Sequence, residues 1–447
     1  MIQLSDHFTY KKLLSFTIPS IVMVIFTSLY TIVDGIFVSN VAGNDAFAAL
    51  NLIWPIIAIM GAVGFMIGMG GSALIAKTLG EGEHTKANEI FSMLIYVLMG
   101  IGALLSVIGI FFMEDFARLL GASEELVPYC VIYGRTLSIF MVGYFLQNAS
   151  QSFLVTAERS KLSLALTLAA GFTNIVLDYL FISVFRWGIL GAALATGLSW
   201  LVGGIIPFFY FLFPNPTPLA LGKTRLDLRA LGQACFNGSS EMISNLSMSV
   251  INVLYNLELM KMIGSDGVVA YGIIQYIAFV FVGAYLGYAF GITPVLGYQY
   301  GANNHKELKN LLKKSLILIA IAAFVLTILA EMMANLLASI FVSYSIELMT
   351  LTSHAIRIYS LSFLVAGFNI FASSFFTALN NGFISGLLSF VRTFVFQVVS
   401  IIVMPLLFGL DGIWAAILVA EVGALFVSAF FLNKEKKKYG YDNRSSS

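Results

Sequence analysis

Apolar runs of about 20 residues, the length a helix needs to cross a bilayer, recur in this sequence from Leu13 to beyond Leu425. Lipid offers no partner to an exposed backbone N–H or C=O, so such runs are confined to α-helices or closed barrels. The alternating segments of about ten residues that mark barrel strands do not compete with them. Charged residues make up 11% of the 447 positions and the mean hydropathy is +0.92, whereas soluble chains carry about 25% charge. The expected fold class is therefore all-α and integral to the membrane. Twelve spans are predicted, near 13–37, 46–75, 88–112, 127–155, 162–184, 189–213, 235–262, 268–298, 311–340, 352–379, 384–407 and 411–432. Lys11 and Lys12 ahead of the first run resemble the start of a signal sequence. That run is too long and no small-residue cleavage site closes it, so it reads as a retained helix.

Lysines and arginines collect in cytoplasmic loops. With the N-terminus inside, the inner segments hold eighteen, Arg444 among them, and the outer loops hold three, Arg118, Arg186 and Lys261. Both termini are thus expected in the cytoplasm of a cell-membrane protein. Arg135, Arg357 and Arg392 are left in or near spans. Cys130 and Cys235 fall on opposite sides in this topology, so no disulfide is expected, and neither has metal-ligand spacing.

The chain repeats once. A shift of 221 residues lays "VAGNDAFAAL" on "MIGSDGVVAY" and "WGILGAALA" on "FGLDGIWAA", pairing Gly70 with Gly291, Gly80 with Gly301 and His84 with His305. Six helices per copy is an even number, so both copies enter from the same side, as parallel repeats about an axis along the membrane normal. The expected organisation is a lobe at 1–212, a cytoplasmic linker at 213–234, a lobe at 235–434 and a cytoplasmic tail at 435–447. "FPNPTPLALGKTRLDLR", with three prolines and three basic residues, supplies the linker. Pro19, Pro55, Pro207, Pro294 and Pro405 sit inside spans and each removes one backbone hydrogen bond. Gly64 and Gly68 have the small-xxx-small spacing that lets helices approach closely.

An ionisable side chain at bilayer depth is costly, and by default marks function. The first half holds Asp34 in span 1 and Asp178 in span 5, with Asn174 one turn before it on the same face, and Thr196 in span 6. At about 1.5 Å per residue all four fall in the outer half of the lobe. Two carboxylates, an amide and a hydroxyl suit a small hard cation and equally a proton relay. The alternative is that they only fix helix packing. At the 221-residue shift they correspond to Tyr255, Val395, Val399 and Ile417, so the set is not a requirement of the repeated scaffold. In the second half, Glu241 and Asn245 share a face of span 7 and are, with Tyr255, candidates for coupling or substrate contact, against a plain interfacial role. Glu258 reads as solvated. Glu331, Glu421 and Arg392 lie in or near spans with nothing in the sequence to bring them together. Aromatics lining a cleft would hold an amphiphilic cation.

These features resemble the multidrug and toxic compound extrusion family over essentially the whole chain. The resemblance rests on Pro19 followed by Asp34, the Asn174 and Asp178 pair, Thr196 eighteen residues later, and "YGAN" at 300–303. It implies efflux of organic compounds by alternating access of two six-helix lobes, driven by inward sodium or proton flow. By carry-over, Asp34, Asn174, Asp178 and Thr196 match the first-lobe cation site of the branch with archaeal and DNA-damage-inducible members, and Pro19 matches the point where helix 1 bends. The acid that another branch carries midway along helix 7 falls near Ser249 here. A small organic cargo, cationic or amphiphilic, a surrounding lipid bilayer and a monomeric state are expected. No cofactor is expected besides Na+ or H+ as the coupling ion, and no nucleic-acid partner.

No G-x-x-x-x-G-K-[ST] phosphate loop occurs, so no ATP site of that type is expected. A lipid-linked precursor or polysaccharide flippase of the same superfamily is the nearest rival, but its pyrophosphate cargo needs more basic residues than three arginines. An intramembrane enzyme would need its histidines together, whereas His7, His84, His305 and His354 fall at helix ends or loops. The chain is not expected to be an enzyme.

Overall fold

The computed structural model describes residues 2–38, 41 and 43–442; Arg444 and the rest of 443–447 lie outside them. Among the described residues there are fifteen α-helices, α1 (Tyr10–Phe37), α2 (Asn44–Gly80), α3 (His84–Leu119), α4 (Val127–Ile139), α5 (Met141–Thr156), α6 (Ser160–Asp178), α7 (Gly188–Leu212), α8 (Leu228–Asn237), α9 (Ser239–Ile263), α10 (Ser265–Gly301), α11 (His305–Val342), α12 (Ile346–Ser360), α13 (Phe363–Ala378), α14 (Gly382–Phe390) and α15 (Phe396–Lys434). Two π-helical turns, Tyr179–Val184 and Val391–Val395, interrupt the fifth and eleventh spans.

These fifteen pieces make twelve crossings. The pair α4 and α5 is one span bent by 59°, and α12 with α13 is one bent by 48°. α8 and α9 meet at Gly238. α14, its π turn and α15 run as one apolar stretch, Gly382–Lys434, but Gly409 at φ 58°, ψ −135° breaks it into two. That backbone region is open to glycine and strained for other residues. α9 is weakly apolar because it opens on Ser239, Ser240, Glu241, Ser244 and Asn245. α8 begins at Leu228, inside the range read as linker, so the irregular connection runs only from Phe213 to Asp227, whose side chain caps α8.

The N- and C-terminal segments lie on one face, here the termini face. Leu4 and Phe8 are buried in a core cluster built chiefly from the second half, together with Leu13 and Phe16 of α1. Residues 2–9 form a strap between the halves. Leu4 N–H donates to Glu158 Oε1 (2.7 Å) in the first half, and Gln299 Nε2 of the second donates to the Leu4 carbonyl (2.7 Å). Phe8 N–H donates to Glu307 Oε1 (2.9 Å), whose Oε2 lies 2.6 Å from His7 Nδ1. Tyr439 and Tyr441 are buried on the same face, with Asn381 donating to the Tyr439 hydroxyl.

Small residues let the halves touch. A Cβ on Gly238 would lie 1.9 Å from the Met66 carbonyl oxygen of α2, and one on Gly287 of α10 would lie 2.4 Å from Ile21 Cα of α1. Further out along the same seam, Ser28 Oγ donates to the Phe279 carbonyl at 3.4 Å. These approaches lie between the termini face and the middle of the helices. Within the first half, Gly64 and Gly68 seat α2 on α5 against Phe145, Asn148 and Ala149, the packing role their spacing suggested. Pro19, Pro55, Pro207 and Pro294 stand inside helices, and Pro405 lies four residues before the break at Gly409. Cys130 and Cys235 are both free.

Candidate functional site

The buried face of α6 is made of Ser160, Ser163, Thr167, Ala170, Gly171, Asn174 and Asp178, small and polar residues at helical spacing. A helix whose inward stripe is this poor in aliphatics is held by close approach instead. Gly171 provides it: a Cβ there would lie 2.4 Å from the Phe26 ring of α1 and 3.1 Å from Tyr30. α1 and α6 run in the same direction, so the turn after Tyr30 puts Asp34 level with the end of α6.

Asp178 is fully buried there, Asn174 is 1% exposed, and Asp34 is partly accessible. The Asp34 and Asp178 carboxyls are near enough for each to bear on the other's charge, and Tyr133 of α4 stands beside both. Asn174 Nδ2 donates to Thr196 Oγ1 at 3.4 Å, from a stretch of α7 whose buried neighbours are Ala193, Ala195 and Gly197. Gly197 leaves room for the Phe140 ring. The structure therefore brings together Asp34, Asn174, Asp178 and Thr196, the four first-half residues singled out in the sequence.

Their hydrogen bonding is incomplete in a specific way. Asp34 Oδ1, Asn174 Oδ1 and both oxygens of Asp178 are buried without a hydrogen-bond partner. Buried polar atoms are normally paired, and each exception asks for an explanation such as an ion. All four orphans are acceptors. Two of the groups are carboxyls close to one another, a pair that is relieved by a cation between them or by a proton on one of them. No group of three His, Cys, Asp or Glu side chains placed to hold a metal ion occurs among the described residues, so the set is a two-carboxylate, amide and hydroxyl site. The π turn starts directly at Tyr179; such turns widen the helix and occur often at functional sites.

The second-half candidates do not form a comparable cluster. Tyr255 is 2% exposed inside a core cluster, stacked on Tyr271 with centroids 4.4 Å apart. Asn245 is exposed and donates to the Glu241 carbonyl one turn earlier. Glu241 is partly accessible beside the Gly238 crossing, with the charge of Arg392 bearing on it. Glu258 is ion-paired with Lys261 at 2.7 Å.

One association escaped the sequence reading. Arg392 and Glu421, which nothing in the sequence joined, form a buried ion pair: Nη2 to Oε1 is 2.9 Å and Nε lies 2.9 and 3.0 Å from the two carboxylate oxygens. Asn369 Nδ2 adds a bond to Glu421 Oε2 at 2.7 Å, and Ser428 Oγ donates to Asn369 Oδ1. Opposite charges at matching depth in successive spans were the available clue. Arg392 stands eleven residues after Asn381 and Glu421 twelve after Gly409, roughly 16 and 18 Å into the membrane from opposite faces. Arg357 is likewise taken, 3.5 Å from Glu331.

Comparison with known proteins adds three findings. A family model described as MatE matches residues 19–180 and again 242–406. The chain is similar to "Multidrug export protein MepA" of Staphylococcus haemolyticus (strain JCSC1435), 23% identical over 441 residues that cover 98% of this chain and 96% of that protein. Among solved structures, one described as the outward-facing conformation of a multidrug resistance MATE family transporter of the MOP superfamily superposes with a TM-score of 0.92, at 22% identity and with 98% of each chain covered. At that identity the likeness is one of fold.

Proposed function

This chain belongs to the multidrug and toxic compound extrusion family, and from that premise we propose that it is a cation-coupled antiporter that exports cationic or amphiphilic organic compounds by alternating access. It is a multi-pass membrane transporter of the multidrug efflux class, not an enzyme. The coupling ion is Na+ or H+, a transported substrate rather than a resident cofactor, and the termini face is the cytoplasmic one.

The observation that carries the reading is the group of four unpaired buried acceptors on Asp34, Asn174 and Asp178 beside Thr196. Oxygen donors of this kind suit a small hard cation, and a proton shared between two carboxyls meets the same charge requirement. Asp34 is the partly accessible member and sits on α1, a helix that packs on both α6 and α10. Filling the site changes what α1 can do against each lobe. A bound ion shifts the balance between outward- and inward-open states only by its differential affinity for the two, and a site completed by side chains from three helices has such a difference. Contacts across the seam concentrated toward the termini face agree with a molecule open to the outside.

The arginine inventory supports organic cations as cargo over lipid-linked pyrophosphates. Arg392 is neutralised by Glu421, Arg357 is paired with Glu331, and Arg135 lines a cavity between α4 and the start of α7 rather than the cluster around Asp34. Glu241, beside the seam, offers a carboxylate to a cation. The test uses proteoliposomes loaded with a fluorescent cationic dye under a sodium gradient and, separately, a pH gradient. Wild-type protein is expected to move dye under at least one, and Asp34→Asn to fall at least about tenfold, the kinetic equivalent of ~1.4 kcal/mol. Export by Asp34→Asn at the wild-type rate under the same gradient would sink the proposal.

A further inference from the structure

On the face opposite the termini, between α4 and the start of α7, lies a cavity of about 730 Å³ lined by Tyr129, Ile132, Arg135, Thr136, Arg186 and Trp187 among others. It sits on the outside of the first lobe: Tyr133, on the other side of α4, is buried and faces Asp34 and Asp178. We propose that this cavity is a binding site for the phosphate headgroup of an anionic phospholipid from the adjacent leaflet.

The protein leaves two charges on this cavity unmatched. Arg135 and Arg186 make no hydrogen bond, ion pair or ring contact among the described residues. Of the four acids at 114–125, Glu114 and Glu124 are taken by Arg118, and Asp115 and Glu125 make no ion pair with Arg135 or Arg186. Arg135 stands eight residues into α4 from Val127, which places its Cα roughly 12 Å along the helix. A guanidinium at that depth reaches toward the headgroup layer and toward an anion there. Arg186, from the turn before α7, lines the same cavity. It occupies a tight turn with φ 56°, followed by Gly188 at the same φ, and the turn is closed by Trp187 N–H donating to the Phe181 carbonyl at 2.9 Å.

The remaining lining fits a lipid better than a free anion. Tyr129 and Trp187 are 37% and 47% exposed, and tyrosine and tryptophan belong to the interfacial belt, where an apolar body and a polar edge are both satisfied. Ile132, Ile189 and Leu190 continue the wall on the side an acyl chain would take. Arginine binds phosphate through paired N–H donors in its planar fork. Two guanidiniums on one headgroup also outdo the diffuse attraction of a single surface cation.

Trp187 supplies a reporter. The purified transporter is titrated with phosphatidylglycerol, and in parallel phosphatidylcholine, each brominated near the headgroup end of its chains. The Trp187 contribution is read as the difference between wild type and Trp187→Phe. The expected result is an about tenfold preference for phosphatidylglycerol at Trp187, lost in R135Q/R186Q and partly kept in R135K/R186K. Dye export by the glutamine variant reports that the chain is folded. Equal quenching by the two lipids in wild type overturns the proposal. Displacement of phosphatidylglycerol by millimolar inorganic phosphate also overturns it, by showing a soluble-anion site.

Discussion

Replacing Arg392 by methionine keeps most of its stem and deletes its charge. What remains is Glu421, whose side chain is 2% exposed, with Asn369 as its one side-chain donor. Removing one member of a buried ion pair costs ~3–5 kcal/mol because the other charge is stranded. The converse change, Glu421→Gln, strands the guanidinium, but that group is 17% exposed and retains access to water, so ~1–2 kcal/mol is expected. The double variant strands no charge and should lie close to Glu421→Gln alone, so that the singles are non-additive by roughly 3–5 kcal/mol, the cost of the stranded carboxylate. For a chain of this length 1 kcal/mol moves Tm by about 1 °C. Scanning fluorimetry in detergent should therefore place Arg392→Met about 3–5 °C below wild type, and the double variant above that single. A double variant whose loss equals the sum of the singles, or an Arg392→Met no worse than Glu421→Gln, would refute the reasoning.

At the seam, Gly238→Ala forces a methyl against the Met66 carbonyl oxygen; overpacking of this kind costs ~1–3 kcal/mol. Maleimide labelling of Cys235 should rise while the buried Cys130 stays protected. Burial pushes the Glu158 carboxyl above its ordinary value of 4.5, partly offset by the Leu4 N–H. A raised carboxyl favours the native state below that ordinary value, and its contribution is lost as pH climbs through the raised one. Glu158→Gln should flatten the fall of Tm over that window, read from fluorimetry across a pH series. Phe8→Ala empties a fully buried site in the strap and costs about 3–5 kcal/mol if the strap stays docked. Undocking costs less, so limited proteolysis should cut within residues 2–9 of the variant and spare them in wild type.

The twelve crossings were legible because apolar length and the basic-loop asymmetry are one-dimensional properties, and the duplicated glycines marked corresponding turns. The first-half site was legible for a similar reason: Asn174 and Asp178 share a face by spacing alone, and the lack of counterparts at Val395 and Val399 set them apart from the scaffold. Pairing between the eleventh and twelfth spans was legible only as opposite charges at matching depth. Arg392 and Glu421 meet because a π turn rotates the eleventh span at Val391–Val395 and Gly409 reverses the chain, and a single sequence carries no direct sign of that rotation. Tyr255 was singled out as the counterpart of Asp34, and it lies buried against Tyr271 in the core of its lobe. The strap at residues 2–9 went unseen because its bonds are mostly to backbone groups, whose partners depend on the fold.

Reverse exchange measures the coupling site directly. Proteoliposomes are given an inward dye gradient and no ion gradient, with sodium and pH indicators in the external and internal volumes. Wild type should carry Na+ or H+ against the entering dye in a fixed ratio. Asp178→Asn should move neither ion while dye still equilibrates slowly across the two lobes. If Asp178→Asn exchanges the same ion at the wild-type ratio, the group on α1, α6 and α7 does not hold the driving cation.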